Sequence, residues 1–399
     1  MARTRLVLAA TLVVAIVILV GLTLRDRGGS GGSGGSGVSG GEAAAGTSPR
    51  DEPTSTSTTS TTTPHDPAKL FDPVKFTTIG GQISPKSVIS TGNGLVFAQN
   101  MMYNHTVTVY DRDGKLLATI PDAVDLSAFG VDGHPGTSKG APVEAAADHA
   151  NRYVYASNYS MYGDNFLPEG SDECGGPRGI SPSYTYRIDQ KTLAIDAVAQ
   201  VGEVPKYVAV TPDDKYVLVT NWCGYDLSVL TTDPFEQVMR IPLGRYPRGI
   251  VVTPDSRTAY VAVMGSSDIA KVDLTTFEVS WFRGVGSGPR HLVLSPDGTR
   301  LYATLNGEGR VAAIDTATGN VLQKVTTGKA PRSMAISPDG KALYVVNYES
   351  SNVSVLRADD LSVVKTLATC GNPIGITYEP TAHRVWAACY GGEIIVFDA

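Results

Sequence analysis

Residues 205–373 repeat every 42 positions, and no other feature limits the possible folds so tightly. Each copy opens on a proline: Pro205, Pro247, Pro289 and Pro331, with Pro373 starting the next. A fixed period of this size marks a repeat array, in which each unit buries its apolar face against the next. The copy from Pro331 holds four short β-branched runs, at 333–336, 342–346, 353–356 and 363–367. They are too short for helices and read as strands. Ser337-Pro338-Asp339-Gly340 separates the first two. There proline fixes φ, and Asp and Gly supply the geometry of a tight turn. The same turn stands at Thr211-Pro212-Asp213-Asp214, Thr253-Pro254-Asp255-Ser256 and Ser295-Pro296-Asp297-Gly298. Four antiparallel strands in about 42 residues is a propeller blade.

The wording of the repeat is also informative. Tyr344-Val345-Val346-Asn347, Tyr216-Val217-Leu218-Val219-Thr220-Asn221, Tyr302-Ala303-Thr304 and Tyr260-Val261-Ala262 follow the proline-led strand and its Ser/Thr-Pro-Asp turn. This pattern resembles the YVTN β-propeller repeat family, over about residues 69–399. The resemblance implies the fold. It does not imply an activity, because such propellers host many functions.

The blade-opening position extends backwards to Pro142 and Pro85. From Pro142, Tyr155 and Asn158 fall at the offsets of Tyr344 and Asn347 from Pro331; from Pro85, Phe97 and Asn100 fall one residue short. The expected fold is therefore an all-β, seven-bladed β-propeller. After Pro373 only three strands remain before the chain ends. The run 74–79, followed by Gly80-Gly81, resembles an outer-strand ending. It is expected to pair with 394–397 and close the ring, removing two open sheet edges.

Ahead of the propeller, residues 6–24 are uncharged and apolar, flanked by Arg3, Arg5, Arg25 and Arg27. As a helix they would span about 28 Å, close to a bilayer core. With no convincing cleavage site after Gly21, residues 1–27 read as an uncleaved transmembrane signal anchor, with secretion after cleavage as the alternative. Residues 28–68 read as a disordered Gly/Ser/Thr-rich tether with an r.m.s. reach of about 35 Å. Its Ser/Thr run at 55–63 fits either an O-glycosylated stalk or a plain linker. The expected setting is the cell membrane, with a single extracytoplasmic propeller at 69–399. The net charge of −6 argues against a molecule built as a whole to bind nucleic acid.

Two insertions break the period, residues 121–141 and 160–181, and both fall on the face opposite the Ser-Pro-Asp turns. Long loops clustered on one face of a scaffold mark a binding surface or neutral drift. The cysteines map to the same face. Disulfides Cys174–Cys223 and Cys370–Cys389 are expected there, against the alternative of four reduced cysteines in a cytosolic domain. A basic residue follows the opening proline in five blades: Lys86, Lys206, Arg248, Arg290 and Arg332. Val143 and Ile374 interrupt that series, and His291 adjoins it. These side chains are expected to rim the channel mouth, where converging cations favour an anionic ligand or else pair with neighbouring blades. Asp164, Asn165, Glu169, Asp172 and Glu173 lack the ordered spacing of a calcium loop and read as a solvated acidic loop. The six histidines show no metal spacing.

These features favour a binding module holding a protein, glycan, nucleic-acid strand or other anionic ligand on that face, with no catalytic residue, metal or cofactor. Two alternatives stand beside it. One is an enzyme of the lactone-hydrolase or haem- or quinone-linked oxidoreductase propeller type; the other is a structural, surface-layer-like protein. A polar pocket with a buried histidine or carboxylate beside a bound-water site would favour the enzyme, and an open basic rim would favour binding.

Overall fold

Alternation of side chains along a strand sends every second residue of each blade into one inter-blade seam and the rest into the other. The blade from Pro331 shows the outcome. Its strands are Pro331–Ile336, Ala342–Asn347, Asn352–Arg357 and Val363–Ala368, paired antiparallel in that order. Tyr344 and Val355 pack into the seam against Tyr378, Val385 and Phe397 of the next blade. The turn is locked by its own side chains. Ser337 Oγ donates to Asp339 Oδ1 at 2.6 Å and accepts the Ala342 N–H at 2.9 Å. Asp339 Oδ1 also accepts the Lys341 N–H at 3.1 Å.

The computed structural model describes residues 67–175 and 179–399. The expected signal anchor and nearly all of the tether lie outside them. Among the described residues no helix is long and apolar enough to cross a membrane. The strands form seven sheets, as expected for seven blades. The innermost strands are Pro85–Ser90, Thr137–Ala147, Pro205–Val210, Pro247–Val252, Pro289–Leu294, Pro331–Ile336 and Pro373–Glu379. Six begin on the opening proline. Pro142 instead lies within its strand, between two register shifts.

Ring closure follows the sequence-based expectation. Val74–Ile79 pairs antiparallel with Glu393–Asp398, from Val74 opposite Asp398 to Ile79 opposite Ile394. A 3-10 turn at Lys69–Phe71 precedes this strand and buries Leu70, whose carbonyl accepts the Tyr344 hydroxyl at 2.8 Å. Insertion 121–141 does more than link two blades. Its strand Ala123–Asp125 pairs with residues 137–139 and gives the second blade a fifth strand.

Candidate functional site in the channel

The backbone just before each blade delivers side chains to the channel mouth. In five blades the residue preceding the opening proline is left-handed: Val204 at φ 54°, Tyr246 at 63°, Gly288 at 62°, Ala330 at 52° and Asn372 at 57°. L side chains rarely adopt that region. A repeated hydrogen bond holds it, the carbonyls of these residues accepting the N–H groups of Trp222, Met264, Asn306, Tyr348 and Tyr390 at 2.9–3.1 Å. The chain thus turns sharply into each inner strand, and its second residue stands at the mouth.

Lys86, Lys206, Arg248 and Arg290 occupy this position and are 6%, 3%, 6% and 4% exposed. Arg332 is half-buried, its guanidinium 3.8 Å from the Tyr348 ring centroid. The cations expected at the mouth are there, four of the five buried. Their compensation is incomplete. Glu144 Oε1 lies 3.8 Å from Lys86 Nζ and 3.7 Å from Arg248 Nη2, within ion-pair range but beyond hydrogen-bond length. Lys86 Nζ, Arg290 Nη1 and Arg332 Nε have no hydrogen-bond partner. Burial drives the Lys86 ammonium well below its ordinary value, and Arg248 pushes the same way against Glu144. Burial, then Arg248 and Arg332, also lowers Arg290. A guanidinium keeps its proton in a protein, so this push is repulsion left standing in the ring.

The next residue along each inner strand forms a second layer. There Glu144, Tyr207 and His291 share a cavity of about 380 Å³ with Ser87 and Ser333, walled further along by aliphatic side chains such as Ile250 and Leu292. His291 belongs to this wall; the cationic ring stands one residue earlier on the strands. Its Nδ1 accepts the Met334 N–H at 3.3 Å, so Nε2 carries the proton and donates to the Tyr207 hydroxyl at 2.9 Å. Burial, with Arg290 and Arg248 nearby, holds His291 down to about 3, leaving it neutral at physiological pH. Burial raises Tyr207, with Glu144 adding to the push, so its hydroxyl also stays protonated. Having accepted from His291, that hydroxyl keeps its proton for an acceptor in the channel. Gly249 lies between these two blades, and a Cβ there would meet the Arg290 carbonyl at 2.7 Å.

Both expected disulfides are present, Cys174–Cys223 and Cys370–Cys389. The first staples insertion 160–181 beside Lys206. Asp172, two residues before Cys174, pairs through Oδ1 with Lys206 Nζ at 2.6 Å and accepts the Tyr159 hydroxyl at 3.1 Å. Its backbone carbonyl accepts the Trp222 indole N–H at 2.8 Å. Lys206 Nζ also lies 4.2 Å from the Tyr159 centroid and 5.4 Å from that of Trp222. Asp172 thus leaves the acidic loop as an ion-pair partner. Among the described residues no group of three or more His, Cys, Asp or Glu is placed to hold a metal. Val143 and Ile374 are buried where they interrupt the cations.

Sequence reasoning singled out the cations and His291 but missed Glu144, Tyr207, Tyr159 and Trp222. A signal for two of them was present: the third residue of each opening reads Ser87, Glu144, Tyr207, Gly249, His291, Ser333 and Gly375. Tyr159 and Trp222 carried a signal as well: each follows the repeat's asparagine, Asn158 and Asn221, as Tyr348 follows Asn347.

Residues 269–393 match the family model for the Cytochrome D1 heme domain, less than half of the chain. No curated protein matches this chain. Among solved structures it is similar to Kuenenia stuttgartiensis hydrazine synthase, with a TM-score of 0.64 and 19% identity, over 80% of this chain and 97% of that one. At that identity the likeness establishes the propeller fold alone. The match to a cofactor-carrying domain overturns the expectation of a plain binding module. Behind the cations, the buried His291 and Glu144 line a cavity in the channel.

Proposed function

We propose that this propeller is the working domain of an enzyme of the cofactor-linked oxidoreductase type, with its site in the central channel. One observation carries the reading: Glu144, Tyr207 and His291 line a channel cavity one residue further along the inner strands than the ring of cations. The match of residues 269–393 to the Cytochrome D1 heme domain supports it. Within the propellers we place the chain with those built of YVTN repeats, on the repeat words around Tyr216 and Tyr344. Two disulfides suit an extracytoplasmic, membrane-anchored setting, which we retain as part of the proposal.

The residues do not fit a haem iron in the channel. His291 is the histidine there, and both its ring nitrogens are committed, Nδ1 to the Met334 N–H and Nε2 to Tyr207. An imidazole so held has no lone pair to give a metal. No step is therefore drawn through iron. The chain's own groups do three things. The ring draws in and orients a negatively charged cofactor or substrate. Burial of the ring side chains in the mouth lowers the local dielectric, which strengthens every charge interaction there. The Tyr207 hydroxyl, held by neutral His291, presents a proton to whatever accepts it.

The test is an oxidised-minus-reduced absorbance difference spectrum of the full chain purified from its own host. The expected result is a band above about 300 nm, where the protein itself is nearly transparent, that responds to dithionite and is lost in Arg248→Ala/Arg290→Ala. A featureless spectrum from intact, folded protein contradicts the reading.

A further inference from the structure

The channel mouth collects five cationic side chains, Lys86, Lys206, Arg248, Arg290 and Arg332, against two carboxylates, Glu144 and Asp172. The two are not equivalent. Asp172 approaches Lys206 from the solvent side and is itself exposed, whereas Glu144 lies within the channel. Lys86 Nζ and Arg290 Nη1, on side chains more than nine-tenths buried, are left without a hydrogen-bond partner. Unpaired buried charge is strongly unfavourable. Such a ring has two ways to relieve itself: its lysines give up protons, or an anion arrives.

We propose that a compact anion with at least two negative charges on carboxylate or phosphate oxygens seats among Lys86, Arg248, Arg290 and Arg332, and that protons are taken up by the ring lysines as it binds. This names the ligand class for the site of the oxidoreductase reading and rests on that reading for its role in turnover. Guanidinium groups suit such oxygens because their N–H forks match them two at a time. The lysines supply the adjustable charge. Burial takes Lys206 down to about 7 in spite of Asp172, with Arg248 and Arg290 pushing the same way. Its other neighbours are Tyr159 and Trp222. Lys86 faces Glu144, Arg248, Arg290 and Lys206, and is lowered further from its ordinary value. Next to Arg332 stand Tyr348 and Tyr390. Below the ring, His291 and Tyr207 do not change protonation near neutral pH. An arriving anion raises both lysines, so binding and protonation favour each other.

Isothermal calorimetry on the full chain tests this with citrate, pyrophosphate and acetate, at fixed ionic strength and in two buffers of different ionisation enthalpy. Citrate or pyrophosphate should bind at least tenfold more tightly than acetate, and which of them binds separates a carboxylate from a phosphate source. The buffer pair should report net proton uptake, and affinity should fall about tenfold per pH unit above about pH 7. Lys206→Met should reduce the uptake. Arg290→Gln should weaken binding at least tenfold, and Arg332→Gln, at a less buried position, should weaken it in a protein with an unchanged melting curve. Equal binding of acetate and both multivalent anions overturns the proposal, as does binding without proton uptake or binding indifferent to Arg332→Gln. No electron transfer enters this measurement. Anion binding beside a featureless difference spectrum would sink the redox reading alone, and the reverse result would sink this proposal alone.

Discussion

Single buried groups set how this molecule responds to pH. Asp122 is buried beside the second blade, where Gly140 approaches so closely that a Cβ would meet its Oδ1 at 2.5 Å. Burial lifts its carboxyl to about 8, while the Gly140 N–H and the Tyr186 hydroxyl pull part of the way back. A carboxyl raised on folding binds its proton more tightly in the native than in the unfolded chain. Its contribution is greatest below the ordinary carboxylate value and is lost as pH rises toward 8. Asp122→Asn cannot ionise. Relative to wild type it should gain up to about 1.4 kcal/mol per pH unit between pH 5 and 7.5. Urea unfolding at the two pH values checks this, and parallel stability curves would count against it.

At the scale of elements, ring closure concentrates stability where the chain ends meet. Leu70 is buried against Tyr344, Val355 and Phe397, while Val74 on the following strand is 63% exposed. Leu70→Ala should therefore cost about 3 kcal/mol in denaturant unfolding, against less than about 0.5 for Val74→Ala. Equal costs would mean that the strand pairing, and not the packing of Leu70, carries the closure. The Cys174–Cys223 staple closes a separation of 49 residues and Cys370–Cys389 one of 19. On chain entropy alone, replacing each pair by serine should cost about 4 and about 3 kcal/mol. Loss of the first should in addition free Asp172 from Lys206.

Closure and the blades were legible because they rest on local signals. The proline period, the Ser-Pro-Asp turn and the unfinished last blade each lie in one stretch of chain. The ring cations shared that signal through their place after the proline. Burial of the ring was not legible, since it depends on how closely the inner strands of all seven blades converge. The layer of Glu144, Tyr207 and His291 assembles only when three blades face one channel. Tyr207 reaches His291 across the intervening blade, which carries Gly249, a contact spanning 84 residues. Function was misread because the sequence shows no catalytic signature, and the match of residues 269–393 to the Cytochrome D1 heme domain is what corrects it.

Taken whole, residues 69–399 form a seven-sheet ring whose repeated outer strands are scaffold and whose inner strands place charge and polarity on one axis. The loop stapled by Cys174–Cys223 brings Asp172 to Lys206 at the mouth, and the excess of cations there is the feature on which the functional account turns. A crystal structure of the full chain purified from its own host tests this most directly. The account predicts density for an anionic group hydrogen-bonded to Arg290 and Arg332 at the channel mouth, on the solvent side of Glu144. A mouth holding only water, with every ring cation satisfied by protein groups, would contradict it.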